Sequence, residues 1–272
     1  MKRLTGSAFV VVLLAGTAFA RGEARPTGRQ VYEADCAICH GSSGDGNGRA
    51  AHMFRVRPRD FRRGLFKFRS TPSGSLPTDD DLLRTVTHGI RWTSMIARAD
   101  LPEADRRAVV QHVKSFSPRF AEERPSSPVA VPPAPPRSPA LVAQGGRLYR
   151  DAECVKCHGD RGRGDGPSAA GMKDDWGWSI RPTDLTWQPL KRGFAHDGMY
   201  LTIATGLSGT PMPSYVDSLS GQEIWALVYY LQSLVPSAHQ MSPRAALGDE
   251  RQAWMVLMHG RMGPGMMGPI MR

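Results

Sequence analysis

The sequence predicts a mostly α-helical chain made of two tandem domains joined by a proline-rich linker. Three observations carry that expectation. The chain repeats itself, because Cys36-x-x-Cys39-His40-Gly41 recurs 118 residues later as Cys154-x-x-Cys157-His158-Gly159, with the surrounding features in the same order. Between the copies, "SPRFAEERPSSPVAVPPAPPRSP" (117–139) is rich in proline and has no apolar periodicity, the composition of an extended, semi-rigid segment. Helix-start signals and apolar residues at 3–4 spacing occur in both halves, whereas alternating β-formers are few.

Taken in order, the chain opens with Lys2 and Arg3, an apolar run from Ala8 to Leu14, and Ala18-Phe19-Ala20. That is the pattern of an export signal cleaved after Ala20, so residues 1–20 are set apart and the rest is expected to be soluble, exported or periplasmic, with no stable membrane span. Domain 1 is expected over 21–117, the linker over 118–139, domain 2 over 140–238 and a Met/His/Gly-rich tail over 239–272. Each domain begins with an amphipathic stretch, "GRQVYEADC" or "GRLYRDAEC", that runs into the cysteine motif. A Gly/Asp-rich loop and then "RPRDF" (57–61) or "RPTDL" (181–185) follow. A helix-like segment then ends at Gly89 or Gly206, where a positive φ suits glycine. Next come "GIRWTSM" or "GLSGTPM", and a closing helix, "LPEADRRAVVQHVKSF" or "LSGQEIWALVYYLQSL". Thr78 with Asp81, Asp100 with Glu103 and Ser220 with Glu223 have capping-box spacing. A repeat of two such long units is a duplication rather than a solenoid.

All four cysteines lie in the two motifs, so none is left for a structural disulfide, although an exported chain would normally use cysteine that way. Zinc would need a second Cys or His pair in each domain, and thiol redox chemistry a βαβ setting. Neither half offers either. C-x-x-C-H is the attachment signal for haem c: Cys36 and Cys39, or Cys154 and Cys157, bond the porphyrin vinyl groups, and His40 or His158 then lies under the iron. Two haem c groups are therefore expected, each supplying apolar surface on which a small helical domain can pack.

Each iron needs a sixth ligand, and methionine or histidine is usual in electron carriers. Met212, between Pro211 and Pro213, lies 54 residues after His158, and Met95 lies 55 after His40, each six residues after a glycine. These are the expected ligands. His52, His88 and His112 are the rivals in domain 1, and His196, Met172 and Met199 in domain 2.

On these motifs both halves resemble class I c-type cytochrome domains, and the whole resembles a dihaem cytochrome c, over about 28–117 and 141–235. The resemblance implies helices wrapped around one haem per domain, with the first and last helices crossing. It implies a proline carbonyl accepting a hydrogen bond from each ligand histidine, for which Pro58 and Pro182 are the candidates. It also suggests Arg57 and Arg181, with Trp92 or Trp187, as partners of the haem propionates. Domain 1 departs from the pattern because Met95 lacks flanking prolines and Trp92 stands where domain 2 has Gly209.

An iron with both axial positions filled changes oxidation state without binding oxygen or peroxide, so the expected function is electron transfer between a redox donor and acceptor rather than catalysis. A dihaem peroxidase-like enzyme, or a sensor, is the alternative if one sixth site is open or displaceable. Residues 21–117 carry 17 Lys/Arg against 11 Asp/Glu, and residues 140–238 carry 9 against 10. The basic run Arg55, Arg57, Arg59, Arg62, Arg63, Lys67 and Arg69 suggests an acidic protein surface docking on domain 1. Nucleic acid is not expected, since the run has no aromatic interleaving. In the tail, Met255, Met258, His259, Met262, Met266, Met267 and Met271 have thioether and imidazole groups that suit Cu(I).

Overall fold

The computed structural model describes residues 25–193 and 195–239, so the expected signal segment and the copper-type expectation for the tail lie outside the described residues. Domain 1 contains α1 (Gly28–Asp35), α2 (Ala37–His40), α3 (Asp79–His88) and α4 (Glu103–Lys114), followed by a short α5 (Arg119–Glu122). Domain 2 contains α6 (Pro139–Asp151), α7 (Cys154–His158), α8 (His196–Thr205) and α9 (Gly221–Ser233). Strand pairing among the described residues is limited to the isolated bridges Lys173–Ser179 and Leu190–Gly193. The chain folds as two tandem helical domains.

Local chemistry sets the helix ends. Thr78 with Asp81 and Ser220 with Glu223 form reciprocal capping boxes, and Thr27 with Gln30 forms a third that the sequence reading had not picked out. The expected box at Asp100 does not form. The residue before α4 is Pro102, and the Asp100 carboxylate instead accepts two hydrogen bonds from Arg98, at 3.1 and 3.0 Å. The charged guanidinium fork outcompetes a backbone N–H for that carboxylate. Gly89 and Gly206 end α3 and α8 with φ of 65° each.

In each domain the first and last helices cross, α1 on α4 and α6 on α9. The crossings are glycine-based, with Gly28 against the Ala108 carbonyl and Gly145 against the Ala226 carbonyl. Each domain has its own main core. One includes Val31, Tyr32, Leu82, Val109 and Val110, the other Tyr149, Ile203, Ile224, Trp225 and Val228.

The proline-rich segment is anchored at both ends. Its first turn is α5, whose Phe120 ring meets Phe66 edge-on at 6.0 Å. Further on, Val129 N–H donates to the Ser70 carbonyl at 2.8 Å. The Trp225 indole then donates to the Pro132 carbonyl at 3.0 Å, and the Tyr229 hydroxyl to the Pro135 carbonyl at 2.6 Å. Proline carbonyls keep their acceptor capacity while the ring removes the donor, so the segment can lie along α9 as a strap.

The domains also meet directly, and the basic run of domain 1 makes much of the contact. Residues 172–180 form a small hairpin closed by Asp174 N–H to the Trp178 carbonyl (2.9 Å) and Ile180 N–H to the Met172 carbonyl (3.0 Å). Trp176 lies under the guanidinium groups of Arg59 and Arg63, at 4.2 and 5.0 Å, and Trp178 under that of Arg57, at 4.3 Å. Arg69, 0% exposed, donates across the interface to the Thr205 carbonyl at 2.7 Å. That carbonyl is at the C-terminal end of α8, where a cation complements the helix dipole. Arg192 answers from domain 2, donating to the Arg69 carbonyl at 3.1 Å.

Candidate haem-binding sites

Each C-x-x-C-H sequence forms a short helical turn following the first helix of its domain. The buried Tyr32 and Tyr149 side chains hold the end of the turn, their hydroxyls donating to the Gly41 and Gly159 carbonyls at 2.7 and 2.8 Å. The glycine loop folds back on the motif, with Gly46 N–H donating to the His40 carbonyl (2.9 Å) and Gly164 N–H to that of His158 (2.8 Å). All four cysteines are half-buried and none is paired in a disulfide. Burial pushes the Cys36 thiol up to about 11, with a smaller upward push from Asp35, and burial also raises Cys39 and Cys154.

The imidazoles are held alike. His40 Nδ1 is 3.1 Å from the Arg59 carbonyl, and His158 Nδ1 is 3.1 Å from the Thr183 carbonyl. The acceptor is thus the residue after the expected proline, in both domains. The proline carbonyls are turned elsewhere. Pro58 O and Pro182 O face Gly46 and Gly164 so closely that a Cβ there would stand 2.7 and 2.5 Å from them. The next carbonyl then points at the imidazole. With Nδ1–H donated, Nε2 is the nitrogen left for a metal. Burial lowers the His40 pKa to about 4 and lowers that of His158, which favours the neutral imidazole a metal needs.

The two methionine loops share three hydrogen bonds, and domain 2 adds a fourth, from Thr210 N–H to the Leu207 carbonyl at 3.1 Å. Ile90 N–H donates to the Met95 carbonyl at 2.8 Å and Leu207 N–H to that of Met212 at 3.2 Å. Thr93 and Thr210 hydroxyls donate to the Ile90 and Leu207 carbonyls, both at 2.8 Å. Met95 N–H and Met212 N–H donate to those same hydroxyl oxygens at 3.1 and 3.3 Å. Trp92 and Gly209 occupy the equivalent place, with φ of 58° and 78°. A left-handed residue with a Cβ costs roughly 1–2 kcal/mol, a cost glycine escapes.

The donor set fits haem c and not zinc. No three of His, Cys, Asp and Glu converge on a metal-sized site among the described residues, so the two thiols and imidazole of each motif do not form a zinc cluster. The residues expected to meet haem propionates make other contacts in this structure, apart from Arg181. Arg57 is engaged by Trp178, Trp92 by the Pro189 carbonyl and Trp187 by the His239 ring, stacked at 3.9 Å. Arg181 is exposed. Trp178 and Pro189 contact Arg57 and Trp92 across the domain interface, whereas His239 contacts Trp187 within the second half of the chain. Arg59, which also lies over Trp176, is near Lys67 and Lys191. Burial, then the charges of Arg59 and Lys191, push Lys67 down to about 7, and Asp174 opposes this only in part. Carboxylates brought to this cluster would relieve it.

Comparison with known proteins agrees with this geometry. Residues 142–235 match the family model "Cytochrome c", and residues 23–113 match "Cytochrome C oxidase, cbb3-type, subunit III". A chain of a reducing HAO-like protein complex from Kuenenia stuttgartiensis superposes with a TM-score of 0.75 at 43% identity, covering 77% of this chain and 96% of that one. The chain belongs to the dihaem c-type cytochromes. Each domain of the cytochrome carries one covalent haem c, and its function is electron transfer. It is also similar to the Cbb3-type cytochrome c oxidase subunit FixP of Azorhizobium caulinodans, 26% identical over 219 residues, or 78% of this chain. The cytochrome spans 60% of that relative's length. No described helix is long and apolar enough to cross a membrane.

Sequence reasoning missed the Arg59 and Thr183 carbonyls, because any residue has one and only the fold aims it. It also missed the interfacial cluster, since lysines from different domains converge only once the domains dock. The signal that could have found it is the insertion in domain 2: Gly166 to Pro182 spans 16 positions where Gly48 to Pro58 spans 10, and the added residues include the two interface tryptophans.

Proposed function

We propose that this chain is an exported dihaem cytochrome c that relays electrons between redox partners through two irons, each held by one histidine and one methionine. Cys36, Cys39, Cys154 and Cys157 carry the thioether links. His40 with Met95 would hold the first iron, and His158 with Met212 the second. Arg59, Lys67 and Lys191 would receive propionates. One observation carries this reading. Both domains build the same pair of features, an imidazole tied through Nδ1 and a methionine loop closed by the same three hydrogen bonds.

When bound, haem c supplies a one-electron Fe(III)/Fe(II) couple. The chain's own residues keep both imidazoles in one tautomer and hold the methionine loops in a fixed backbone, so that little has to rearrange when an electron arrives. Redox titration of the purified holoprotein is expected to give two covalent haems, each with a methionine–iron charge-transfer band in its ferric form. A single haem, or no such band, would end the reading. The signal-like N-terminus supports export.

The names of the relatives favour a larger redox enzyme as partner, since one belongs to a reducing HAO-like protein complex and the other is an oxidase subunit. Domain 1 offers a docking face beside its haem motif. Ile38, Met53 and Val56 are 49%, 63% and 37% exposed, and Ala50 N–H donates to the Ile38 carbonyl at 2.9 Å. Exposed Arg49 and Arg55 flank the patch. An apolar centre with a cationic rim fits a partner surface whose rim is acidic. Electron-transfer rates should therefore fall as ionic strength rises. Because Arg57, Arg59, Arg63 and Arg69 are used inside the molecule, the fall should be shallower than the whole basic run would give. Rates independent of salt would refute this docking mode.

A further inference from the structure

The two methionine loops differ at one backbone position, and what holds that position differs too. Gly209 takes its positive φ at no steric cost, and Trp176 and Arg59 pack where its side chain would be, the Arg59 guanidinium standing 2.9 Å from a Cβ built there. Trp92 adopts the same conformation with a bulky side chain, for which it is an outlier. The three hydrogen bonds that the loops share do not account for this, because domain 2 makes them around a glycine.

Domain 2 supplies the grip. The Trp92 indole N–H donates to the Pro189 carbonyl at 2.6 Å. Its ring meets Trp187 edge-on at 6.3 Å, and Trp187 is itself stacked on His239. The neighbouring Arg91 N–H donates to the Lys191 carbonyl at 3.3 Å. Three successive points on a short segment, 187 to 191, thus fix two successive residues of the Met95 loop.

We infer that Trp92 is a positioning residue for the first iron: gripped by domain 2, it keeps the Met95 loop in a backbone conformation that a non-glycine residue abandons when released. The sixth ligand of the first haem then depends on domain docking to offset backbone strain, whereas the Met212 loop, with glycine at that position, carries no such strain. This rests on the reading of Met95 as a ligand. Strain of this kind persists only where the surroundings over-determine it, and here the surroundings belong to the other domain.

Trp92→Ala removes the grip and keeps the strain, whereas Trp92→Gly removes both. In ferric holoprotein, Trp92→Ala is expected to abolish at least half of the methionine–iron band of one haem and lower the midpoint potential of that haem alone. Trp92→Gly should keep both bands. Wild-type protein with a band from the second haem only would show that Met95 is not a ligand, and the inference would fall with that reading. Two bands in wild type that persist unchanged in Trp92→Ala would overturn the inference alone. Equal loss in Trp92→Ala and Trp92→Gly would overturn it as well, because backbone strain would then not be what the grip offsets.

Discussion

Met212→His is expected to lower the midpoint potential of one haem by on the order of 0.1 V or more, within the roughly 0.8 V that axial ligands span, and to leave the other haem nearly unchanged. A thioether stabilises Fe(II) relative to an imidazole, so exchanging one for the other favours Fe(III) and pulls the potential down. The effect should be confined to one haem because the Met212 loop closes on itself, through Thr210 and Leu207. Met95→His should move the other haem in the same direction. Potentiometric titration of both variants checks the pair together. Two variants that shift the same haem, or a Met212→His protein with unchanged potentials, would rule out one methionine per iron.

The parts of the site that could be read from the sequence are those in which chemistry and spacing coincide within a few residues. Cys36, Cys39 and His40 form one helical turn, and the Gly89-to-Met95 and Gly206-to-Met212 segments form matching loops. Two of the three expected capping boxes form for the same reason: a hydroxyl and a carboxylate three residues apart need no partner from elsewhere. Illegible were the groups whose role depends on what another segment does. Pro58 and Pro182 lie one residue away from the true acceptors because glycine contacts, not the proline ring, decide which carbonyl turns inward. Arg57, Arg59 and Arg63 read as a surface for a partner protein. Their partner is an aromatic pair on a hairpin 113 to 121 residues further along, in the one loop where the two halves of the duplication differ most in length before the RP-x-D turn. Duplicated domains keep the cofactor turn because its geometry is demanded locally, and in this chain they diverge in the loop through which domain 2 meets domain 1.

Gly145→Val is expected to destabilise domain 2 by about 3 kcal/mol or more, the upper range for overpacking a filled site, while leaving domain 1 folded. α6 crosses α9 so closely at Gly145 that a Cβ would run into the Ala226 carbonyl, with the Tyr230 Cβ, one turn further along α9, only 2.8 Å away. The obstacle is helix backbone, which cannot swing aside as a side chain tip does, so the helices must separate and loosen the core that Trp225, Leu227 and Val228 form along α9. Gly146 supplies the control. A Cβ there meets only the ring edge of Tyr230, at 3.0 and 3.2 Å, and Tyr230 is only half-buried, so its ring can give way. Gly146→Ala also recovers up to about 1 kcal/mol of helix propensity, making it near neutral. Denaturant unfolding of the holoprotein followed at each haem should therefore separate two adjacent glycines sharply: Gly145→Val with an early transition in domain 2 only, Gly146→Ala close to wild type. If both variants unfolded like wild type, the close crossing would not be a determinant of the fold. If Gly146→Ala lost as much as Gly145→Val, substitution anywhere along α6 rather than contact with the α9 backbone would be the cause.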